Sequence, residues 1–220
     1  MNTDTLTQNE TLDTKIQAGK FLTTLLDSGI ANERIVLKKN DKIELTASND
    51  TPYIFVIVSG VTSIFSNTNV AIDFAGEGDL LDYNIYSSQL FGKALTDEVI
   101  VWRFSQIDVF NQIAQNTELQ LQHYHMLQII QRRLEKKQMQ ATLDTKNMIA
   151  AFIHTLAIRY NTQTDDQGMI ELPRYFSRKM IANYVGVGLT TLTTHLQKLM
   201  EEERVIFNSR VLLIDAENRI

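Results

Sequence analysis

Between residues 33 and 104 the apolar positions fall in short runs separated by turn residues. Ile35-Val36-Leu37 and the runs 53–58, 61–65, 70–74 and 99–104 are rich in β-branched and aromatic side chains, which suit a pleated, half-buried surface. Asn40-Asp41, Ser48-Asn49-Asp50, Ser59-Gly60, Ser66-Asn67 and Gly76-Glu77-Gly78-Asp79 punctuate the runs as turn signals. Strands at this spacing predict an antiparallel roll or barrel. Its interior would carry Tyr53, Phe55, Phe65 and Phe74, which read either as simple core or as the wall of a ligand cavity. Gly76-Glu77-Gly78 alone is a weak phosphate-loop signal, because no full nucleotide fingerprint surrounds it. Ahead of the roll, residues 1–14 are polar and predict a loosely attached arm. A short amphipathic helix carrying Ile16, Phe21, Leu22, Leu25 and Leu26 then ends at Ser28-Gly29.

From about Ser105 the periodicity becomes helical. In the segment 118–143, Leu119, His123, Leu127, Ile130, Leu134 and Ala141 recur near heptad spacing. The stripe either lies on its own roll or forms a two-helix seam between protomers. The length of the segment argues for the seam, with Leu127, Ile130 and Leu134 at its centre. The Lys/Arg cluster at 132–137 reads as a solvated face. After a break at 142–146, a helix carries Met148, Ile149, Phe152, Ile153, Leu156, Ala157 and Tyr160. A polar loop at 161–168 and a short strand at 169–172 then lead to Pro173.

The stretch 177–199 predicts two short helices around a tight turn. Ser177 can cap the first helix, and Met180, Ile181, Tyr184 and Val185 share one face. Gly186 stands where that helix must end, since glycine enters the left-handed region without steric cost. In the second helix Leu192, Leu196 and Leu199 face inward, leaving Thr190, Thr191, Thr194 and His195 largely outside. This is the pattern of a helix-turn-helix, whose second helix enters a DNA major groove. An ordinary helical hairpin has the same outline. However, Arg174, Arg178, Lys179 and Lys198 are interspersed from 172 to 199 without an acidic residue. Glu201-Glu202-Glu203 closes the element. The runs 205–207 and 211–214, separated by Asn208-Ser209-Arg210, then predict a hairpin wing.

Composition narrows the chemistry. An apolar content of 44% with 21% charged residues is that of a soluble globular chain. The apolar runs are too short to span a bilayer, and the polar N-terminus carries no secretory pattern, so a cytoplasmic protein is expected. The absence of cysteine excludes disulfides, thiolate zinc sites and cysteine-ligated iron–sulfur clusters within the chain. A net charge of −5 confines DNA affinity to a local basic patch and predicts that it falls steeply with salt. Neither a nucleophile nor a metal constellation is visible, so an enzyme is not expected.

The order of roll, long helix and winged helix-turn-helix resembles the cyclic-AMP receptor protein/fumarate-nitrate reduction regulator (Crp/Fnr) family of bacterial transcription factors, over nearly the full length. The most specific stretch is 178–206, with Ile181-Ala182-Asn183-Tyr184-Val185-Gly186 and Leu196-Gln197-Lys198-Leu199-Met200-Glu201. Ser59-Gly60 and Gly78-Asp79-Leu80 look like the turn glycines of the family's sensor roll. The resemblance implies an α+β protein: an N-terminal antiparallel β-roll (cupin-like sensor), a long dimerisation helix and a C-terminal winged helix-turn-helix. These map to a flexible arm at 1–14, the roll at 15–116, the helix at 117–143 and the DNA-binding domain at 144–220. The implied partners are double-stranded DNA, a second copy of the chain and RNA polymerase.

The departures bear on the effector. Members that bind cyclic nucleotides follow the Gly-Asp turn with a Gly-Glu pair and later an Arg-Ser or Arg-Thr. Here the stretch 80–89 has neither, and Asp82 would face an anionic phosphate. No cofactor is predicted, and an effector would be a small molecule of other chemistry. Haem-bearing members use histidine, but His123 and His125 are two residues apart and point to different helix faces, so no metal site is expected. Where many members carry Arg, Glu and Arg to read bases, this chain has Leu189, Thr190 and Thr194. Thr190, Thr194 and His195 are the expected base readers. Leu189 either meets a thymine methyl or packs inward. Arg178, Lys179, Thr191 and Lys198 are the expected phosphate contacts. The competing reading is a degenerate sensor or interaction module that binds a small molecule or protein with little DNA affinity.

Overall fold

A computed structural model of the chain describes residues 3–45, 52–81, 89–161, 163–208 and 211–216, with side chains from Lys15 onward. Helix α1 (Thr3–Asp27) is followed by strands β1 (Asn32–Lys38), β2 (Lys42–Glu44), β3 (Tyr53–Ser59), β4 (Val61–Ser66), β5 (Ala71–Gly76), β6 (Leu80–Leu81), β7 (Leu90–Ala94) and β8 (Glu98–Ser105). Helices α2 (Gln106–Gln115), α3 (Thr117–Gln140) and α4 (Thr145–Tyr160) come next. The chain continues through β9 (Met169–Glu171), α5 (Arg178–Val185), α6 (Leu189–Glu201), β10 (Val205–Phe207) and β11 (Leu212–Asp215). The class is α+β, and the strand pairings are antiparallel throughout.

Residues 12–130 form one compact unit. Two four-stranded sheets, ordered β1-β8-β3-β6 and β2-β7-β4-β5, share a core of Leu37, Phe55, Ile57, Ile64, Leu90, Val99 and Val101. The opposite face of the first sheet is covered by helices. There Ile54, Val56 and Phe104 meet Phe21 and Leu25 of α1, Val109 of α2, and Leu119 and Met126 of α3. The two faces explain the unbroken apolar run in β3. Successive side chains of a strand point to opposite sides, and here both sides are buried, so alternation with polar residues is lost. Each fully buried side chain of this size contributes roughly 1.5–3 kcal/mol. Phe55 and Phe74 are buried core residues, whereas Phe65 stacks on Phe91 at a centroid distance of 5.4 Å.

Several features differ from the sequence expectation. Helix α1 begins at Thr3, inside the segment expected to be an arm. No glycine or proline interrupts that segment, so nothing in it stops a helix from extending backwards. Strands β2, β6 and β7 are additional to the expected set. The Gly76-Glu77-Gly78 turn is closed by its own neighbours. The Asp79 carboxylate accepts the Gly76 N–H at 2.7 Å, and Glu77 pairs with Lys15 at 2.9 Å. A Cβ at Gly78 would lie 2.8 Å from the Cα of Lys15, so that glycine serves close approach of α1. The turn at Ser48-Asn49-Asp50 and residues 82–88, including Asp82, lie outside the described residues.

The division between the compact units falls after Ile130, within α3. Of the predicted heptad stripe, Leu119 is buried in the core of residues 12–130. His123 packs there too, stacked on Phe21 and edge-on to Phe110 with both centroid distances at 6.0 Å. Leu127 and Leu134 are 38% and 54% exposed, and Ile130 is half-buried.

Residues 131–220 make the body of the second unit. Helix α4 is its centre, packing against α5, α6, β9 and β11. Ile149, Ala150, Ala151, Phe152 and Ile153 are buried in succession, as expected of a helix enclosed on most sides. Asp144 caps it, accepting the N–H groups of Lys146 and Asn147 at 3.1 and 3.2 Å. Those bonds, with Asn147's the stronger influence, hold its carboxyl below the ordinary range. Lys146 pairs with Glu202 and lowers that carboxyl as well. Arg204 donates to the Asn147 side chain at 3.0 Å. Gln140, in the last turn of α3, donates to the carbonyl of Ala151 and the hydroxyl of Thr155 at 3.2 and 2.7 Å. Strands β10, β11 and β9 form a three-stranded sheet in that order. No described helix is long and apolar enough to cross a membrane.

Candidate nucleic-acid interface

The helix pair α5–α6 is built from local rules that the sequence states directly. Ser177 accepts the Met180 N–H through its hydroxyl at 3.3 Å, satisfying one orphan donor of the first turn. Ile181, Ala182 and Val185 are buried, while Met180 and Tyr184 are half-buried. Gly186 has φ of 80°, and its N–H and that of Val187 both donate to the Ala182 carbonyl at 3.0 Å. The left-handed residue therefore ends α5 and turns the chain at once into α6.

Helix α6 is strongly two-faced. Leu192, Leu196 and Leu199 have no exposed surface. Thr190, Thr194 and Gln197 follow at four- and three-residue spacing on the opposite, exposed side, with Thr191 and Lys198 on the adjacent row. The structure thus brings the predicted Thr190, Thr191, Thr194 and Lys198 onto one surface. Leu189 is 50% exposed in the first turn rather than packed inward. Thr193 turns its hydroxyl back to the Leu189 carbonyl at 2.9 Å, so it is occupied by its own helix. His195 lies on the flank, half-buried, with no hydrogen-bond partner for Nδ1 among the described residues. Gln197 lies outside the expected set of readers, although the periodicity of Thr190 and Thr194 places it in their row. An amide can bond both N6 and N7 of adenine.

Charge is arranged around this surface. Arg178 and Lys179 are exposed in the first turn of α5. Lys179 and Lys198 have no ion-pair partner among the described residues, while Arg174 is held by Glu171 at 3.3 Å. The guanidinium of Arg178 lies 5.2 Å from the ring centre of Phe207. Glu201 and Glu203 are exposed where α6 ends, so the surface becomes acidic there, while Glu202 is offset by Lys146. Behind α5, Tyr160, Tyr175 and Phe176 cluster at centroid distances of 4.7 to 6.5 Å. Burial there pushes the Tyr175 phenol up to about 12.

No protein-family model and no curated protein sequence matches the chain. Solved structures do. A cyclic nucleotide-binding domain containing protein from Listeria monocytogenes superposes with a TM-score of 0.72 at 17% identity, over 84% of this chain and 90% of that one. FixK2 from Bradyrhizobium japonicum gives 0.63 at 16% identity, over 86% and 96%. The c-di-GMP-responsive global regulator CLP of Xanthomonas campestris gives 0.62 at 16% identity, over 83% and 93%. The chain has the fold of these proteins.

Proposed function

We propose that the chain is a dimeric, sequence-specific DNA-binding transcription regulator of the Crp/Fnr type, and not an enzyme. In this reading α5, α6 and the β10–β11 hairpin form a winged helix-turn-helix, and α6 enters the major groove of each half of a palindromic site. The observation that carries it is the outer surface of α6. There Thr190, Thr194, Gln197 and Lys198 are presented to solvent on a helix whose other face is fully buried, and Arg178 and Lys179 are exposed in the first turn of α5. Hydroxyl and amide groups read base edges, and the cations meet phosphates. Helix α3 is the dimerisation helix, with Leu127, Ile130 and Leu134 along its seam. The fold shared with a c-di-GMP-responsive regulator supports a regulatory roll at residues 15–116. Its control comes from a ligand or other input that is not a cyclic nucleotide, and the protein works in the bacterial cytoplasm with RNA polymerase.

Selection of binding sites from random duplex DNA at two salt concentrations tests this. The expected product is a palindrome with half-site centres about one helical turn, roughly 34 Å, apart. Failure to enrich any sequence, with or without cell extract, would replace the regulator by a sensor or interaction module.

A further inference from the structure

We propose that Phe207, in the β10–β11 hairpin, is the positioning residue that holds Arg178 at the rim of the groove beside the first turn of α5, poised for the DNA phosphate proposed for it above. The proposal rests on the DNA-binding reading above and deepens it by naming the residue that orients one of its phosphate contacts. The groove has a volume of about 290 Å³, at the small end for a ligand cavity. Its floor is apolar, formed by Leu172, Ile181 and Leu212, and its rim carries Arg174, Arg178 and Asn208. Among the described residues that line it there is no carboxylate, and its two arginines favour an anionic group.

The two arginines differ. Arg174 is partly neutralised by Glu171 at 3.3 Å. Arg178 has no ion pair among the described residues and lies over the Phe207 ring at 5.2 Å. A guanidinium over an aromatic ring is attracted by the ring's negative face without using a hydrogen-bond acceptor, so its N–H donors stay available for phosphate. The contact also removes side-chain freedom before DNA arrives, which lowers the ordering cost on binding. Phe207 is itself fixed by antiparallel register opposite Leu212. The hairpin therefore holds the arginine in place without making a base contact.

The test is a double-mutant cycle on the intact chain, read by fluorescence anisotropy on a selected site and on random duplex across a potassium chloride series. Phe207→Ala is expected to weaken both duplexes by the same factor, about two- to fivefold, and Phe207→Tyr to restore binding. Arg178→Ala should flatten the log–log salt dependence by about 0.9 for each phosphate that the arginine neutralises in the wild type. Adding Phe207→Ala to that variant should then cost nothing more. A Phe207→Ala loss that persists undiminished beside Arg178→Ala, or one confined to the selected site, would overturn the assignment while leaving the regulator reading intact. A wild-type chain that binds neither duplex at low salt overturns both. Phe207→Tyr covers the case in which the alanine variant fails to fold, because a folded tyrosine variant with weakened binding also counts against the stack.

Discussion

The ammonium nitrogen of Lys137 lies 3.9 Å from the centre of the Tyr184 ring, which meets Phe152 edge-on at 5.4 Å. A side chain near the end of α3 is thereby tied through α5 to the core helix α4. Lys137→Ala is expected to destabilise the protein by about 0.5–1 kcal/mol, the value of a partly exposed cation–π interaction. Phe152→Ala should cost about 3–5 kcal/mol. Urea unfolding followed by circular dichroism measures both, and equal losses would contradict this ordering.

The base readers and phosphate contacts proposed above should separate in a specificity assay. Thr190→Ala and Gln197→Ala should each change preference at one position of the half-site by about 1–3 kcal/mol. Lys198→Ala should weaken all sequences alike. Competition binding against a panel of single-base variants resolves the two classes.

Gly186→Ala isolates a backbone effect. An added Cβ there meets nothing within 4 Å, so the cost comes from φ of 80° and amounts to about 1–2 kcal/mol. Thermal melting should register that loss, and Gly186→Asn should lose less.

Acid should loosen the start of α4. The folded-state carboxyls of Asp144 and Glu202 are held below their unfolded values, by hydrogen bonds from Asn147 and Lys146 respectively. Their stabilisation is therefore complete above the ordinary carboxylate range and is lost as pH falls through the lowered values. Melting temperatures between pH 6 and 3 should fall less steeply for Asp144→Asn, which keeps a capping oxygen but does not titrate. At the alkaline end, the Tyr175 phenol is raised from 10.0 to about 12. Its contribution is present below pH 10 and disappears as pH rises through the higher value.

Leu134→Glu and Leu127→Glu should produce folded monomers by analytical ultracentrifugation and circular dichroism and abolish binding to a palindrome, since both leucines are exposed within the chain.

How far these elements are legible in the sequence depends on how locally each is determined. Ser177, Gly186 and the leucines of α6 act within one or two turns, so caps, turn and buried face are all visible in a short window. Strand β7 is different: Leu-Phe-Gly-Lys-Ala has a glycine and a lysine, and it becomes a strand because β2 and β4 pair with it on either side. Strand β6 is only Leu80–Leu81, too short for any period. In α3 the heptad stripe is legible, but the inward packing of Leu119 and His123 against α1 and α2 depends on distant partners. Gln197 is a separate case. It stands outside the three positions matched to the base readers of the resembling family, whereas helical spacing alone includes it.

The two-sided burial of β3 makes it a shared wall. Ile54 and Val56 belong to the helical layer, and Phe55 and Ile57 to the space between the sheets. A cavity opened on either side weakens the same strand, so the two layers are expected to melt together. The backbone amides of β3 should consequently exchange with solvent only when residues 12–130 unfold together.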